Sequence, residues 1–256
     1  MATTKANRKK KPESKISGFL SYTLIVIVAI IATFIASISI ASYLRQGADL
    51  TVSREEYGAL QQFSENFAAT TIPAAAPEVS PYVSEFDTQM REMNPDYICW
   101  IGINDTIINY PVVRGSDNEK YLNITFSGEE NMFGALFMDY RCSGDPLPHI
   151  IIYGHNSRQG DMFGGLRDFL IGQYLIDHPT IQLKANDRIV EYEVFSARST
   201  NIYDPAYFLD FSEPDSYPEF LERCGAPNDA VQILTLSTCV SGYNADERVI
   251  VQAALR

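Results

Sequence analysis

A thiol, an imidazole and a guanidinium are the side chains in this sequence from which acyl-transfer chemistry can be assembled. Cys239 follows a run rich in β-branched and aliphatic residues at 231–236, and Arg248 opens a second such run that ends at Leu255. The segment between them, Ser241-Gly242-Tyr243-Asn244-Ala245-Asp246, is polar and contains glycine. That pattern predicts two strands joined by a loop. A thiol at a strand end, facing an arginine across a loop, fits a nucleophile with its oxyanion partner. A base is then required, and the chain has only three histidines. His149 stands before an apolar run and His178 lies in the turn-like Asp177-His178-Pro179, so both read as structural or surface residues. His155 follows Ile150-Ile151-Ile152-Tyr153-Gly154, which places it at a strand end where side chains reach an exposed cleft.

Each of these residues taken alone has a plain structural reading. Cysteines are often small buried hydrophobes, a loop histidine can simply bond to backbone, and Arg248 can be a solvated partner of Glu247. Together they supply a nucleophile, an acid/base and a fixed cation. The four cysteines (Cys99, Cys142, Cys224 and Cys239) allow two disulfides in an exported domain, in any of three pairings. No Cys-x-x-Cys or His-x-x-x-His spacing suggests zinc.

The elements that must position this chemistry follow a basic, apolar start. The net charge is −12. Residues 1–44 carry six basic side chains against Glu13, a net +5, which leaves −17 on the rest. An acidic body does not suit nucleic-acid binding, which needs a basic surface. Residues 16–44 contain no charge and are long enough to cross a bilayer as a helix. A cleaved signal peptide is the alternative reading, but the apolar stretch exceeds the usual signal length, so an uncleaved anchor is expected. Six basic residues precede the span and only Arg45 and Arg54 follow it closely, which predicts a cytoplasmic N-terminus and residues 45–256 outside the cell.

Beyond the anchor, residues 49–69 read as an exposed spacer helix with Leu50, Tyr57, Leu60, Phe63 and Phe67 near helical spacing. Ser53 and Glu56 there fit a capping box. Residues 70–81, with three prolines and three consecutive alanines, read as an extended linker. The expected division is a cytoplasmic tail at 1–15, an anchor at 16–44, an extracellular helix and linker at 45–81, and a catalytic domain at 82–256. Within that domain, strands are expected at 97–103, 107–113, 135–140, 149–153, 180–183 and 189–197, besides the two late ones. Tyr110-Pro111 points to a sheet edge or an irregular start for the second. Helical segments are expected at 118–126, 162–170 and about 215–224, the last opened by Asp215-Ser216-Tyr217-Pro218-Glu219. About eight strands, few helices and no alternation of strand and helix indicate a mostly antiparallel barrel or sandwich.

The motifs Thr235-Leu236-Ser237-Thr238-Cys239, Arg248 nine residues on, and Tyr153-Gly154-His155-Asn156 resemble the sortases, cysteine transpeptidases of Gram-positive surfaces. Asn94-Pro95-Asp96-Tyr97-Ile98 with Trp100-Ile101, Tyr110-Pro111-Val112-Val113 and Asp161-Met162-Phe163-Gly164 resemble the class B branch. The resemblance covers roughly residues 91–256. It implies a mostly β fold, a closed sortase-type barrel of about eight strands with peripheral helices, after an N-terminal transmembrane helix. It also implies that Cys239 attacks the carbonyl after the Thr of a C-terminal sorting signal to give a thioacyl-enzyme. His155 would protonate the leaving amine and deprotonate the incoming one, and Arg248 would hold the developing oxyanion. A donor of that kind is worth about 3–4 kcal/mol in a dry cleft. Tyr153, Ser237 and Tyr207 match positions that line the signal pocket, and no metal or cofactor is implied. The implied partners are secreted proteins bearing a sorting signal and an amine of the peptidoglycan cross-bridge.

The sequence departs from the family at Cys99, where glycine is frequent, and at Val240-Ser241, where an acidic residue is frequent. A disulfide to Cys239 would silence such an enzyme, so a free Cys239 is expected. A pilin-polymerising sortase, a simple cysteine hydrolase and a catalytically silent binding domain on the same fold are the rival readings.

Overall fold

The computed structural model describes residues 15–70, 84–144, 147–186, 188–239 and 246–256, with the side chains of 15–21, 68–70 and 239 outside the description. The chain divides into two compact units, residues 1–48 and 49–256. The described part of the first unit is helical and belongs to α1 (Lys15–Thr70). It shows large apolar side chains on all sides, among them Leu24, Ile25, Ile31, Phe34 and Ile38. The helix is long and apolar enough to cross a membrane by length and composition. Its hydroxyls are satisfied locally: Thr33 donates to the Ile30 carbonyl, Ser37 to Phe34, Ser39 to Ile35 and Ser42 to Ser39, at 2.8–3.0 Å. Such back-bonding removes the cost of burying a hydroxyl in hydrocarbon.

The second unit is built on a closed barrel of eight strands. They are β1 (Tyr97–Gly102), β2 (Asn109–Val113), β3 (Leu136–Met138), β4 (His149–Gly154), β5 (Thr180–Ala185), β6 (Arg188–Asn201), β7 (Gln232–Cys239) and β8 (Glu247–Leu255). The order around the barrel is β1-β2-β3-β4-β7-β8-β6-β5, closed by β5 on β1. Closure leaves no free sheet edge, and it decides the question of barrel or sandwich. Six of the eight pairings are antiparallel; β2–β3 and β4–β7 are parallel. Pro111 lies inside the barrel wall opposite Trp100, not at an edge. It is tolerated because β3 pairs with β2 only from Val112 onward, so the ladder on that side is open at the proline.

Strand alternation sorts β7 and β8 into two faces. Leu234, Leu236, Val249, Val251 and Ala253 join the main core inside the barrel. Ile233 and Ala254 face outward and pack with Phe220, Leu221 and Cys224 of α4 (Ser216–Cys224) in a second cluster. α4 starts after Asp215, as its sequence signal predicts, and ends at Gly225 with φ 67°. There the Ala226 amide reaches back to the Leu221 carbonyl, the closing bond of a Schellman turn.

Three expectations along the chain change. Ser53 sits inside α1, buried, and not at a helix start, so Ser53 and Glu56 form no capping box. Glu56 instead accepts from the amide and hydroxyl of Ser127, both at 2.9 Å. Residues 49–67 pack onto the barrel: Tyr57 and Leu60 are buried, and the Tyr57 hydroxyl donates to the Gly134 carbonyl at 2.8 Å. Arg54 makes a two-pronged pair with Asp161. The segment at 162–170 forms a 3-10 turn at Gly164–Leu170, followed by a short α3 (Gly172–Asp177) that its sequence did not announce. α2 (Glu85–Met93) adds Phe86 and Met90 to the core. Most of the linker at 70–81 lies outside the described residues.

Candidate active site

The parallel pairing of β4 and β7 brings their C-terminal ends together, with Tyr153 opposite Ser237 and Gly154 opposite Thr238. His155 follows Gly154 and Cys239 follows Thr238, each one residue past the last paired position. On the other side of β7, antiparallel β8 sets Arg248 opposite Cys239. Backbone register alone therefore gathers the thiol, imidazole and guanidinium positions at one end of three adjacent strands. The Cys239 side chain, and Val240-Ser241 after it, lie outside the described residues.

A cleft of about 390 Å³ opens there, and Tyr153, His155, Tyr207, Ser237 and Arg248 all line it. Phe133, Phe137, Leu122 and Ile202 make much of its remaining wall apolar. His155 stands edge-on to Phe133, ring centroids 5.2 Å apart. Burial disfavours its charged form and lowers its pKa below the usual imidazole value. Its ring makes no hydrogen bond to a described residue. Gly154 before it is dictated by space: a Cβ there would lie 2.4 Å from Leu136 and 2.7 Å from Phe163. Arg248 is half-buried and donates to the Glu247 carbonyl at 2.8 Å.

The Tyr207 and Ser237 hydroxyls are 2.8 Å apart. Tyr207 ends a 3-10 turn, Pro205–Tyr207, capped by Asp204, whose carboxylate accepts from the Ala206 amide at 2.8 Å. The same carboxylate receives Arg198 through two nitrogens (2.6 and 3.1 Å) and the Thr200 hydroxyl at 2.6 Å. Burial works to raise the Asp204 carboxyl, and these donors overcome it and hold the group below its ordinary value. Asp-Pro before a short turn is a cap signal present in the sequence; its ion partner, six residues back on β6, is not.

Beneath Tyr207 a directed chain of hydrogen bonds crosses four strands in barrel order. Arg198 on β6 donates to the side-chain Oε1 of Gln252 at 2.7 Å. Gln252 on β8 donates to the Thr235 hydroxyl at 3.2 Å. Thr235 on β7 then has its proton free for His149 Nε2, 2.8 Å away on β4. His149 Nδ1–H donates to the Phe208 carbonyl at 2.8 Å. With its proton on Nδ1 and Nε2 accepting from Thr235, His149 is neutral, the form that burial favours. Burial pushes its pKa down to about 4, against the opposing pull of the Phe208 carbonyl. His149 is structural, as expected, and so is His178, which stacks on Tyr174 with centroids 4.0 Å apart.

The structure adds residues that sequence reading missed. Asp139, with its side chain fully buried, is bound by Arg141 through two nitrogens (2.9 and 2.8 Å) and by the Tyr153 hydroxyl at 2.9 Å. Burial alone would raise the Asp139 carboxyl, but the Arg141 bonds outweigh it and hold it below its ordinary value. Nothing in Met138-Asp139-Tyr140-Arg141 marks these residues, because the contact depends on the chain turning back after β3. Cys99, Cys142 and Cys224 are buried free thiols, so no disulfide joins them. Burial raises Cys99 to about 12 and Cys142 to about 11, which leaves both unreactive at neutral pH.

Comparison with known proteins agrees with this architecture. Residues 101–256 match the sortase domain family. Sortase B of Listeria monocytogenes is 30% identical over 199 residues, 73% of this chain and 81% of that protein. Sortase B of Staphylococcus aureus is 29% identical over 250 residues, 94% of this chain and 97% of that protein. The structure of the Staphylococcus aureus sortase B–substrate complex superposes with a TM-score of 0.70 at 28% identity, covering 82% of this chain and 98% of that one. On its domain, its relatives and its barrel, the chain belongs to the sortase family of cysteine transpeptidases, in the class B branch.

Proposed function

We propose that the chain cleaves a C-terminal sorting signal after Thr through a thioacyl-enzyme on Cys239, and joins the freed carbonyl to an amine of the peptidoglycan cross-bridge. The observation that carries this reading is the cleft at the shared end of β4, β7 and β8, where His155 and Arg248 flank the backbone position of Cys239. The Cys239 thiolate attacks the scissile carbonyl, and Arg248 donates to the oxygen as it gains charge. The C–N bond breaks as His155 hands a proton to the departing nitrogen. The incoming amine attacks the thioester, gives its proton to the now neutral His155, and expels the thiolate. Tyr153, Ser237 and Tyr207 hold the signal peptide along the apolar wall.

The substrate is a secreted protein. The apolar helix serves as a single-pass anchor, with the basic N-terminus in the cytoplasm and the barrel at the outer face of the membrane. The test is turnover of a quenched sorting-signal peptide by the full chain in detergent, with product analysis after addition of an amine. Arg248→Ala should lower kcat by about 10²–10³-fold. Cleavage that survives Cys239→Ala would defeat the mechanism. Hydrolysis that added amine never diverts would replace the transpeptidase with a hydrolase.

A further inference from the structure

Residues 49–67 of α1 lie outside the cleft, yet they grip the two loops that meet at His155. One is the loop at 123–134, which carries Phe133, the ring that stands edge-on to the imidazole. Asn131 ties this loop to the helix. Its side-chain oxygen accepts from the Phe133 amide at 2.9 Å, and its side-chain nitrogen donates to the Asp49 carbonyl at 2.8 Å. The Tyr57 hydroxyl fastens both sides of Phe133, donating to the Gly134 carbonyl at 2.8 Å and accepting from the Phe126 amide at 3.3 Å.

The other loop runs from His155 to Phe163 and turns back on itself. The Phe163 amide donates to the His155 carbonyl at 3.0 Å, and Asn156 bridges to Met162. Met162 has φ 56°, a backbone conformation that an L side chain keeps only where its surroundings enforce it. That enforcement comes from the helix side. The Met162 amide donates to the Tyr110 hydroxyl at 3.2 Å, and the Tyr110 ring meets Tyr57 edge-on with centroids 5.4 Å apart. One residue earlier, the two oxygens of Asp161 receive Arg54 at 2.8 and 2.9 Å. Asp161 is braced within its loop by the Ser157 hydroxyl at 3.4 Å, and the Ser157 carbonyl by Arg167 at 2.9 Å. Arg54 and Tyr57 are three residues apart and so share one face of the helix.

We infer that Arg54 and Tyr57 are positioning residues for the reaction, holding His155 at its strand end by fixing the loop on either side of it; this rests on the catalytic role given to His155 above. A purely structural role suits Tyr57, which is only 3% exposed, but not Arg54. The Arg54 side chain is 54% exposed, and an exposed ion pair contributes little to folding. Its contribution is geometric: two parallel bonds set both the distance and the angle at which Asp161, and with it the turn at Met162, stands against the helix. A shift of about 1 Å in an acid/base can cost on the order of a hundredfold in rate.

The test compares the wild type with Arg54→Ala, Arg54→Lys and Tyr57→Phe, each as the full chain in detergent. The readouts are kcat and KM for a quenched sorting-signal peptide, NMR titration of the imidazoles in protein labelled at histidine, and thermal melting. Arg54→Ala should lower kcat by about 10–100-fold, change KM less than about twofold, and melt within about 3 °C of the wild type. Arg54→Lys keeps the charge without the fork and should recover part of kcat. Tyr57→Phe keeps the ring against Tyr110 but drops both bonds to the 123–134 loop, and should lower kcat in the same way. Burial holds the His155 imidazole below its ordinary value; once the ring is loosened from Phe133 in Arg54→Ala or Tyr57→Phe, it should titrate higher, towards 6.5, while the His149 ring is unaffected. A folded Arg54→Ala with wild-type kcat and an unmoved His155 titration overturns the assignment, as does a rise in KM at constant kcat. A loss of kcat that tracks melting temperature across the variants reduces both residues to a structural role. A wild type that cleaves no peptide overturns the transpeptidase reading instead, and the His155 titration, which needs no turnover, still decides the positioning.

Discussion

His149 makes the stability of this domain depend on mildly acidic pH. It is buried, with 1% of its surface exposed, which favours the neutral imidazole, and both of its nitrogens have partners, Thr235 and the Phe208 carbonyl. The charged groups that act on it are Asp139, which favours its protonation, and Arg141, which opposes it. In the unfolded chain the ring titrates at 6.5 and in the folded one at about 4. Between these values the unfolded state binds the proton and the native state does not, so stability is complete above 6.5 and declines as the pH falls towards 4. The whole window corresponds to roughly 3 kcal/mol, of which about 2 kcal/mol is lost by pH 5. For a domain of this size that is a fall of roughly 4–8 °C in Tm between pH 7.5 and 5. The assay is thermal unfolding of the full chain in detergent across this range, beside His149→Asn, whose amide can still donate to the Phe208 carbonyl. The variant should be less stable at pH 7.5 and should approach the wild type at pH 5. Parallel decline of the two curves would show that other groups carry the acid sensitivity and that His149 is not held neutral.

Three further outcomes follow from the cleft. Gly154→Ala pushes a methyl group against Leu136 and Phe163; unfolding measurements should show a loss of about 1–3 kcal/mol, and turnover should fall further because His155 is the next residue. Tyr207→Phe removes the bond to Ser237 and should raise KM by about three- to tenfold while kcat changes little, as steady-state kinetics would read. Asp204→Ala leaves Arg198 without its carboxylate and the Pro205–Tyr207 turn without its cap. It should cost about 3 kcal/mol by denaturant titration, and combined with Tyr207→Phe its effect on KM should be less than additive, since both act on one hydroxyl.

Those parts of this protein that depend on local pattern are legible in its residues alone. The uncharged run after a basic start reads as an apolar helix because composition and length suffice. The β-branched runs on either side of the 239–248 loop read as strands, and the strand-end positions of His155, Cys239 and Arg248 follow from them. Asp215 announces α4 because a helix start is a short-range event. Tertiary structure decided what depends on partners distant in the chain. Closure of the barrel, and the parallel join of β4 to β7 across some eighty residues, set His155 beside the Cys239 position; no local pattern encodes that pairing. The same holds for the segment at 49–67, whose apolar stripe read as a spacer helix until the barrel surface that buries Tyr57 and Leu60 was in view. It holds as well for Asp139 with Arg141 and for the chain from Arg198 to His149. A buried ion pair or polar network shows in sequence only as scattered polar residues, and its members acquire a purpose when the fold removes water around them and each donor must find an acceptor.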